Sequence, residues 1–472
     1  MAEDLEKKLR PYHVWALGVG IVLVGEYMGW NFTVAKGGII GALFAMIVAG
    51  LMYIVVSICA SELGSSTKLA GGPYDWVRLF VGPGAAAIVG LAVYMEYIAL
   101  SAGDAIVVGQ LASAYFEWID VNAVAMLILA ILTLINYRGA VTALTLNFFL
   151  TFVAAIAIVL FFLSSATGIG VANFSFDGLF SGAMPYGLVG VFAAMQFGPW
   201  FYLGIEGAAM CAEECKHPTR AVPLGQQAGM ITLALMAGMT VFICAGLMGF
   251  EELGASVYPL YEAAVNSGSG IFIALLIIGT LFTCLASSNG CINDSSRSWL
   301  ALARDGFITD WFADVHPKYK SPFKAVIFTI PVSAGFAFSG FLDQVITFSI
   351  MSGLVCYVLI PFALIRFRKM YPSSNSLIRP YIGPLQPWIS YLAIGIAILI
   401  MSTFFWAYIY NLIFALIFYI IAYFYFTWRY KKIKVQRNKE FSWQDRLGWP
   451  DPEVALGQNG MAAQTGGGND GE

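Results

Sequence analysis

Long apolar runs recur along this chain at a length that suits one environment. About 20 consecutive apolar residues make an α-helix long enough to cross a hydrocarbon layer of roughly 30 Å. Twelve such segments are present, at about 14–35, 38–62, 84–115, 121–137, 141–164, 186–211, 224–250, 269–303, 323–340, 343–365, 386–408 and 410–430. Inside a bilayer each backbone amide and carbonyl must find its partner within the protein, so segments of this kind are helices. The expected fold is an all-α integral membrane protein with 12 transmembrane helices. A composition of 59% hydrophobic and 11% charged residues excludes a soluble domain, and nothing in it supports nucleic-acid binding.

The basic residues set the expected orientation. With the N-terminus in the cytoplasm, only Lys36 of the 25 Lys and Arg falls outside, while Glu117, Asp120, Asp177, Glu251, Glu252, Glu262 and Asp343 lie in outer connections. Positive charge gathers on the cytoplasmic side of membrane proteins. Both termini are therefore expected inside, in a multi-pass protein of the inner (cytoplasmic) cell membrane.

Residues 1–13 are expected to form a polar cytoplasmic N-terminus that leads into an uncleaved first span. Residues 432–472 are expected to be a disordered cytoplasmic tail. Residues 70–80, opening on Gly71-Gly72-Pro73, should form a short amphipathic segment on the cytoplasmic face, and 251–266 an outer interfacial helix. The seven cysteines show no metal-ligand spacing, so neither a metal nor a cofactor is expected. His13, His217 and His316 fall at span edges. Glu62, Asp294, Glu213 and Glu214 stand near Lys68, Arg297 and Lys216 in sequence and are read as members of ion pairs.

One span departs from the apolar pattern. Val24-Gly25-Glu26-Tyr27-Met28-Gly29-Trp30 sets a carboxylate deep in the first run, where a charge costs roughly 2.5–3.5 kcal/mol on insertion scales. Gly25 and Gly29 favour a local break, which frees backbone groups to line a cavity. The reading is a discontinuous helix whose gap holds a cationic ligand, with a Glu bonded to a neighbouring helix as the plain alternative. Span 6 echoes it in Gly198-Pro199-Trp200-Phe201-Tyr202-Leu203-Gly204-Ile205-Glu206, where Pro199 removes a helix bond and the glycines loosen the chain. Matching breaks divide the chain into a first repeat, 14–164 (spans 1–5), and a second, 186–365 (spans 6–10), followed by 386–430 (spans 11 and 12). Five spans per repeat make the second enter from the opposite side. A 5+5 inverted repeat with discontinuous helices 1 and 6 is the architecture of a secondary transporter, its site at the repeat interface.

At these residues the sequence resembles the amino acid/polyamine/organocation permease superfamily, and within it the ethanolamine permeases. The match is carried by Val24-Gly25-Glu26-Tyr27-Met28-Gly29-Trp30-Asn31-Phe32 with Gly37-Gly38, by Ala70-Gly71-Gly72-Pro73-Tyr74, and by Phe201-Tyr202-Leu203-Gly204-Ile205-Glu206 through Pro223. Ser296-Arg297 with Leu302-Ala303-Arg304-Asp305-Gly306 fits the usual close of span 8, and the resemblance covers roughly residues 12–430. It implies substrate held at the broken parts of spans 1 and 6 and uptake coupled to a cation gradient. Some proton-coupled members carry a Lys in span 5; this span 5 has none, while Thr283, Ser287 and Ser288 offer oxygen ligands in span 8. The coupling cation is therefore open between proton and sodium.

Glu26 would repel a substrate carboxylate and attract an ammonium, which fits ethanolamine or choline. Counting 1.5 Å per residue puts Glu26 and Glu96 both roughly 17–20 Å into the bilayer, where they are expected to face one another. The candidate substrate site is Gly25, Glu26, Tyr27, Tyr94, Glu96, Tyr97, Trp200, Phe201 and Tyr202, the aromatic faces suiting a cation. Glu26, Glu96 and Glu206 are candidates for proton coupling or gating, because like charges in low dielectric favour retention of a proton by one acid. Asp104 is read either as attracting amines into a vestibule or as simply hydrated. Alternatives are an amino-acid permease of the same fold, a choline transporter, or a substrate sensor that transports little; no nucleophile and base constellation supports an enzyme.

Overall fold

The structure, a computed structural model, describes residues 5–180, 183–339, 342–372 and 379–437. Among the described residues, nine helices are long and apolar enough to cross a membrane, and Val121–Tyr137 and Phe323–Phe338 are shorter apolar helices. The first span completes the twelve in pieces, Pro11–Val22 and Val24–Tyr27, before the chain enters Phe32–Thr67. Gly38, at φ +68°, bends that long helix and separates span 1 from span 2. The remaining spans are Pro83–Tyr115 (3), Val121–Tyr137 (4), Ala140–Thr167 (5), Gly187–Glu214 (6), Pro218–Leu247 (7), Gly270–Arg304 (8), Phe323–Phe338 (9), Leu342–Met370 (10), Trp388–Ala407 (11) and Ile409–Arg437 (12).

Local sequence explains many of the starts. Pro11, Pro73, Pro83, Pro218 and Pro259 stand in the first turn of their helices, where a missing amide is no loss. Packing sets the layers: 83% of the apolar window of span 3 is buried against 17% for span 12, so span 3 is central and span 12 lies on the rim. A polar chain also crosses the interior. Asn136 of span 4 donates to Asn289 of span 8 at 2.7 Å, Asn289 donates to Asn147 of span 5 at 2.9 Å, and Asn147 reaches the Ala16 carbonyl of span 1 at 3.2 Å. Interhelical bonds of this kind replace the hydrophobic drive that lipid removes.

The end of the bundle that carries most of the basic connections is closed by ion pairs. Arg297 Nη2 lies 2.6 Å from Glu214, Arg304 3.1 Å from Glu213, and Arg368 makes a two-toothed contact with Glu62 through Nε at 2.9 Å and Nη2 at 2.5 Å. The expectation of ion pairs holds for these three acids, but the partner of Glu62 comes from span 10 and not from Lys68, and those of Glu213 and Glu214 come from span 8 and not from Lys216. The 70–80 segment forms the helix Pro73–Phe80, and most of it is buried beneath the spans. Tyr74 donates to Asp305 at 2.5 Å, and Arg78 lies 3.3 Å from the same carboxylate. Burial, reinforced by Asp305, pushes Asp75 up to about 7.

Two boundaries differ from expectation. The outer segment 251–266 is two helices, Phe250–Ala255 and Pro259–Asn266, parted where Ser256 is extended before Pro259 starts a new turn. Span 12 continues to Arg437, so residues 432–437 are helical and do not belong to a tail. The disordered-tail expectation beyond that point lies outside the described residues.

Candidate functional site

Span 1 opens after Tyr27, where Met28 is extended and Gly29 takes φ +90°. Span 6 runs as Gly187–Ala194, tightens to a 3-10 helix over Met195–Phe201 that accommodates Pro199, and breaks at Tyr202, Leu203 and Gly204, whose φ is +97°. The two openings touch. A Cβ on Gly25 would lie 2.3 Å from the Trp200 carbonyl oxygen, and one on Gly29 2.0 Å from the Trp200 indole nitrogen. Trp200 Nε1 donates to the Met28 carbonyl at 2.7 Å, satisfying an acceptor that the break exposes. Gly29 donates to Asn31 Oδ1 at 3.1 Å, and Asn31 in turn holds the Ser256 carbonyl at 2.8 Å.

Glu26 is fully buried beside this contact, and neither carboxylate oxygen has a hydrogen-bond partner. The Tyr202 ring lies 5.6 Å from Tyr53, Tyr53 4.8 Å from Tyr357, and Phe201 5.6 Å from Trp30. Aromatic faces thus line the path from the span 1 break towards a second set of acids.

That second set gathers Glu96 and Glu206, not Glu96 and Glu26. Tyr357 of span 10 has its hydroxyl 3.0 Å from Glu96 Oε1 and 3.4 Å from Glu206 Oε1, and accepts the Gly204 amide at 3.2 Å. Tyr97 has its hydroxyl 3.0 Å from Glu206 Oε1 and 3.3 Å from the Gly204 carbonyl. Each phenol carries one proton and faces two acceptors, so the set has alternative hydrogen-bonded arrangements. Asp294 of span 8 adjoins it: a Cβ on Gly207 would meet Asp294 Oδ2 at 2.2 Å and the Tyr97 hydroxyl at 2.6 Å. Asn293 donates to Asp294 at 2.9 Å, while Oδ2 has no hydrogen-bond partner. Arg297, expected beside Asp294, forms its ion pair with Glu214 instead.

The other candidates are placed elsewhere. Tyr27 donates to the Ala154 carbonyl of span 5 at 2.8 Å, and Tyr94 stacks on Trp299 at 4.2 Å, so their rings address neighbouring helices. Thr283 donates to the Thr280 carbonyl of its own helix at 2.9 Å, and Ser288 shares a bond with Ser101 at 2.8 Å. Ser287 Oγ is buried beside the Asp104 carboxylate. Tyr357 escaped the sequence reading because a lone tyrosine in an apolar run carries no signal. Asp294 did signal itself as an acid in an apolar span, but a nearby arginine in sequence obscured it.

Two interrupted helices packed against one another inside a bundle of apolar spans, with unpaired acids around the interruption, define a membrane transporter of the broken-helix type. Residues 13–444 match the model of the family described as amino acid permease, and the chain belongs to that family. It is 42% identical to an uncharacterized transporter of Rhizobium meliloti (strain 1021), over 95% of this chain and 96% of the relative. A methylthioribose transporter of Bacillus subtilis (strain 168) is 24% identical over 82% of this chain and 87% of its own. The branched-chain amino acid permease BcaP of the same strain is 22% identical over 91% and 95%. The protein is thus a transporter of amino acids or related organic substrates.

Proposed function

We propose that the protein is a secondary active importer of a small amine, with ethanolamine the substrate that fits best, driven by proton symport and working by alternating access. In this reading the basic end faces the cytoplasm of an inner membrane. The observation that carries it is Glu26: a fully buried carboxylate at the span 1 break with both oxygens lacking hydrogen-bond partners. Helix breaks that serve substrates with a carboxylate offer them backbone amides. This one offers a carboxylate, which attracts an ammonium and repels an acid. Gly25 allows the close approach of span 6, and Trp200, Phe201 and Tyr202 supply faces over which a cation gains about 0.5–2 kcal/mol. Glu96 and Glu206, bridged by the single Tyr357 hydroxyl, are suited to hold and pass the coupling proton while Gly204 ties that hydroxyl to the span 6 break.

An amino-acid permease is the second reading, favoured by the name of the branched-chain relative; a cationic amino acid would also be drawn to Glu26. Both are tested by uptake of labelled ethanolamine into liposomes containing the purified protein, in sodium-free buffer, with and without an inward proton gradient. The expected result is gradient-stimulated uptake competed by choline and not by lysine. Absence of ethanolamine uptake with lysine accepted would overturn the amine reading. Uptake restored only by sodium would replace the proton with an ion and direct attention to Ser287.

A further inference from the structure

A cavity of about 200 Å³ lies at the end of the bundle away from the ion pairs, between span 3, the opened stretch of span 1 and the connection that carries Ser256. Its walls include Met28, Asp104, Val107, Trp200 and Ser256, and no Lys, Arg or His is among the described residues that line it. The space exceeds by an order of magnitude the roughly 10–15 Å³ that one water centre needs. Asp104 is only 6% exposed; Ser287 of span 8 lies beside its carboxylate, while Oδ2 and the Ser256 hydroxyl are both buried with no hydrogen-bond partner. A carboxylate in an apolar wall is stabilised by an opposite charge, and no described residue forms an ion pair with it.

The geometry points to this cavity as a second subsite, in which Asp104 receives the ammonium group of a small amine before the amine reaches Glu26. The inference rests on the amine reading of the protein. Trp200 belongs to both places: it lines the cavity and also packs against Gly25 and Gly29 at the span 1 break. Its indole donates through Nε1 to the Met28 carbonyl, at 2.7 Å, in the stretch where the backbone is already open. An ammonium at Asp104 therefore sits against the same indole that packs on the span 1 break beside Glu26. The cavity thus recognises a compact cation with an apolar or hydroxylated remainder, and Asp104 disfavours substrates that bring a carboxylate with the amine.

Equilibrium binding of labelled ethanolamine to the full-length protein in nanodiscs tests this by stoichiometry. Wild type is expected to bind two molecules per chain, and Asp104→Asn and Glu26→Gln one each; Asp104→Glu restores the second. Val107→Phe fills the cavity while leaving the carboxylate in place, and removes the same molecule if Asp104→Asn does not fold. In uptake, Asp104→Asn should raise the half-saturating concentration about tenfold with little change in maximal rate. One molecule bound by wild type, lost in Glu26→Gln and unchanged in Asp104→Asn and Val107→Phe, would overturn the subsite and leave the amine reading intact. Lysine bound with no ethanolamine or choline bound by wild type would overturn both.

Discussion

Replacing Glu26 by Gln keeps the side chain's shape, removes its charge, and should move stability and affinity in opposite directions. In the empty protein the carboxylate is fully buried with both oxygens lacking hydrogen-bond partners. A buried unsatisfied polar group costs about 1–3 kcal/mol and a charged one more. The neutral amide relieves the part of that penalty due to charge, while its own polar atoms stay unpaired, so the variant should be the more stable, seen as a rise of a few degrees in the thermal midpoint of the detergent-solubilised protein. Bound amine reverses the sign. Removing one partner of a buried charge pair costs about 2–5 kcal/mol, and at 1.4 kcal/mol per tenfold the dissociation constant for ethanolamine should rise by roughly 30- to several thousand-fold. Thermal unfolding with and without ethanolamine reads both quantities, since ligand raises the midpoint only where it binds the folded state. An unchanged dissociation constant would refute contact between Glu26 and the amine. An unchanged or lower midpoint in the empty variant would refute the inference that the carboxylate lacks a partner before substrate arrives.

Tyr357→Phe removes the hydroxyl shared by Glu96 and Glu206, and uptake driven by an inward proton gradient should fall at least tenfold while ethanolamine exchange persists; equal loss of both would show a purely structural role. Arg297→Met leaves Glu214 buried and unpaired, so stability should drop by about 3–5 kcal/mol, and the double variant with Glu214→Met should recover most of it in a thermal unfolding cycle. Asp75 is pushed up to about 7 from an ordinary 3.8, so its neutral form is favoured in the folded protein: its stabilisation is fully present below the ordinary value and is lost as pH rises through about 7. Asp75→Asn should therefore flatten the dependence of thermal stability on pH between roughly pH 4 and 7, and an unaltered slope would assign that dependence to other groups. Gly25→Ala sets a methyl 2.3 Å from the Trp200 carbonyl oxygen, backbone that cannot turn aside; overpacking of about 1–3 kcal/mol should appear as weakened ethanolamine binding.

Apolar run length specified the helical membrane fold without help from tertiary structure, because a bilayer leaves the backbone no other open-chain solution. The breaks were equally legible: Gly25 and Gly29 in span 1, and Pro199 with Gly204 in span 6, announce where a helix yields. Their separate duties were not. Gly29 and Gly204 supply the backbone angles, while Gly25 supplies closeness to Trp200, and that distinction exists only once spans 1 and 6 meet. Depth along a helix placed Glu26 and Glu96 at one level but said nothing of azimuth, so their pairing did not follow. Tertiary packing instead put Glu96 with Glu206 around Tyr357, 151 residues from Glu206 and 261 from Glu96. The same limit explains the ion pairs. Neighbours in sequence are poor guides when helices bring distant turns together, and Glu62 found Arg368 because span 10 crosses span 2 at that height. Composition and periodicity decided what the chain can be in a membrane; which acids share a proton, and which stand ready for a cation, was decided by how the helices turn towards one another.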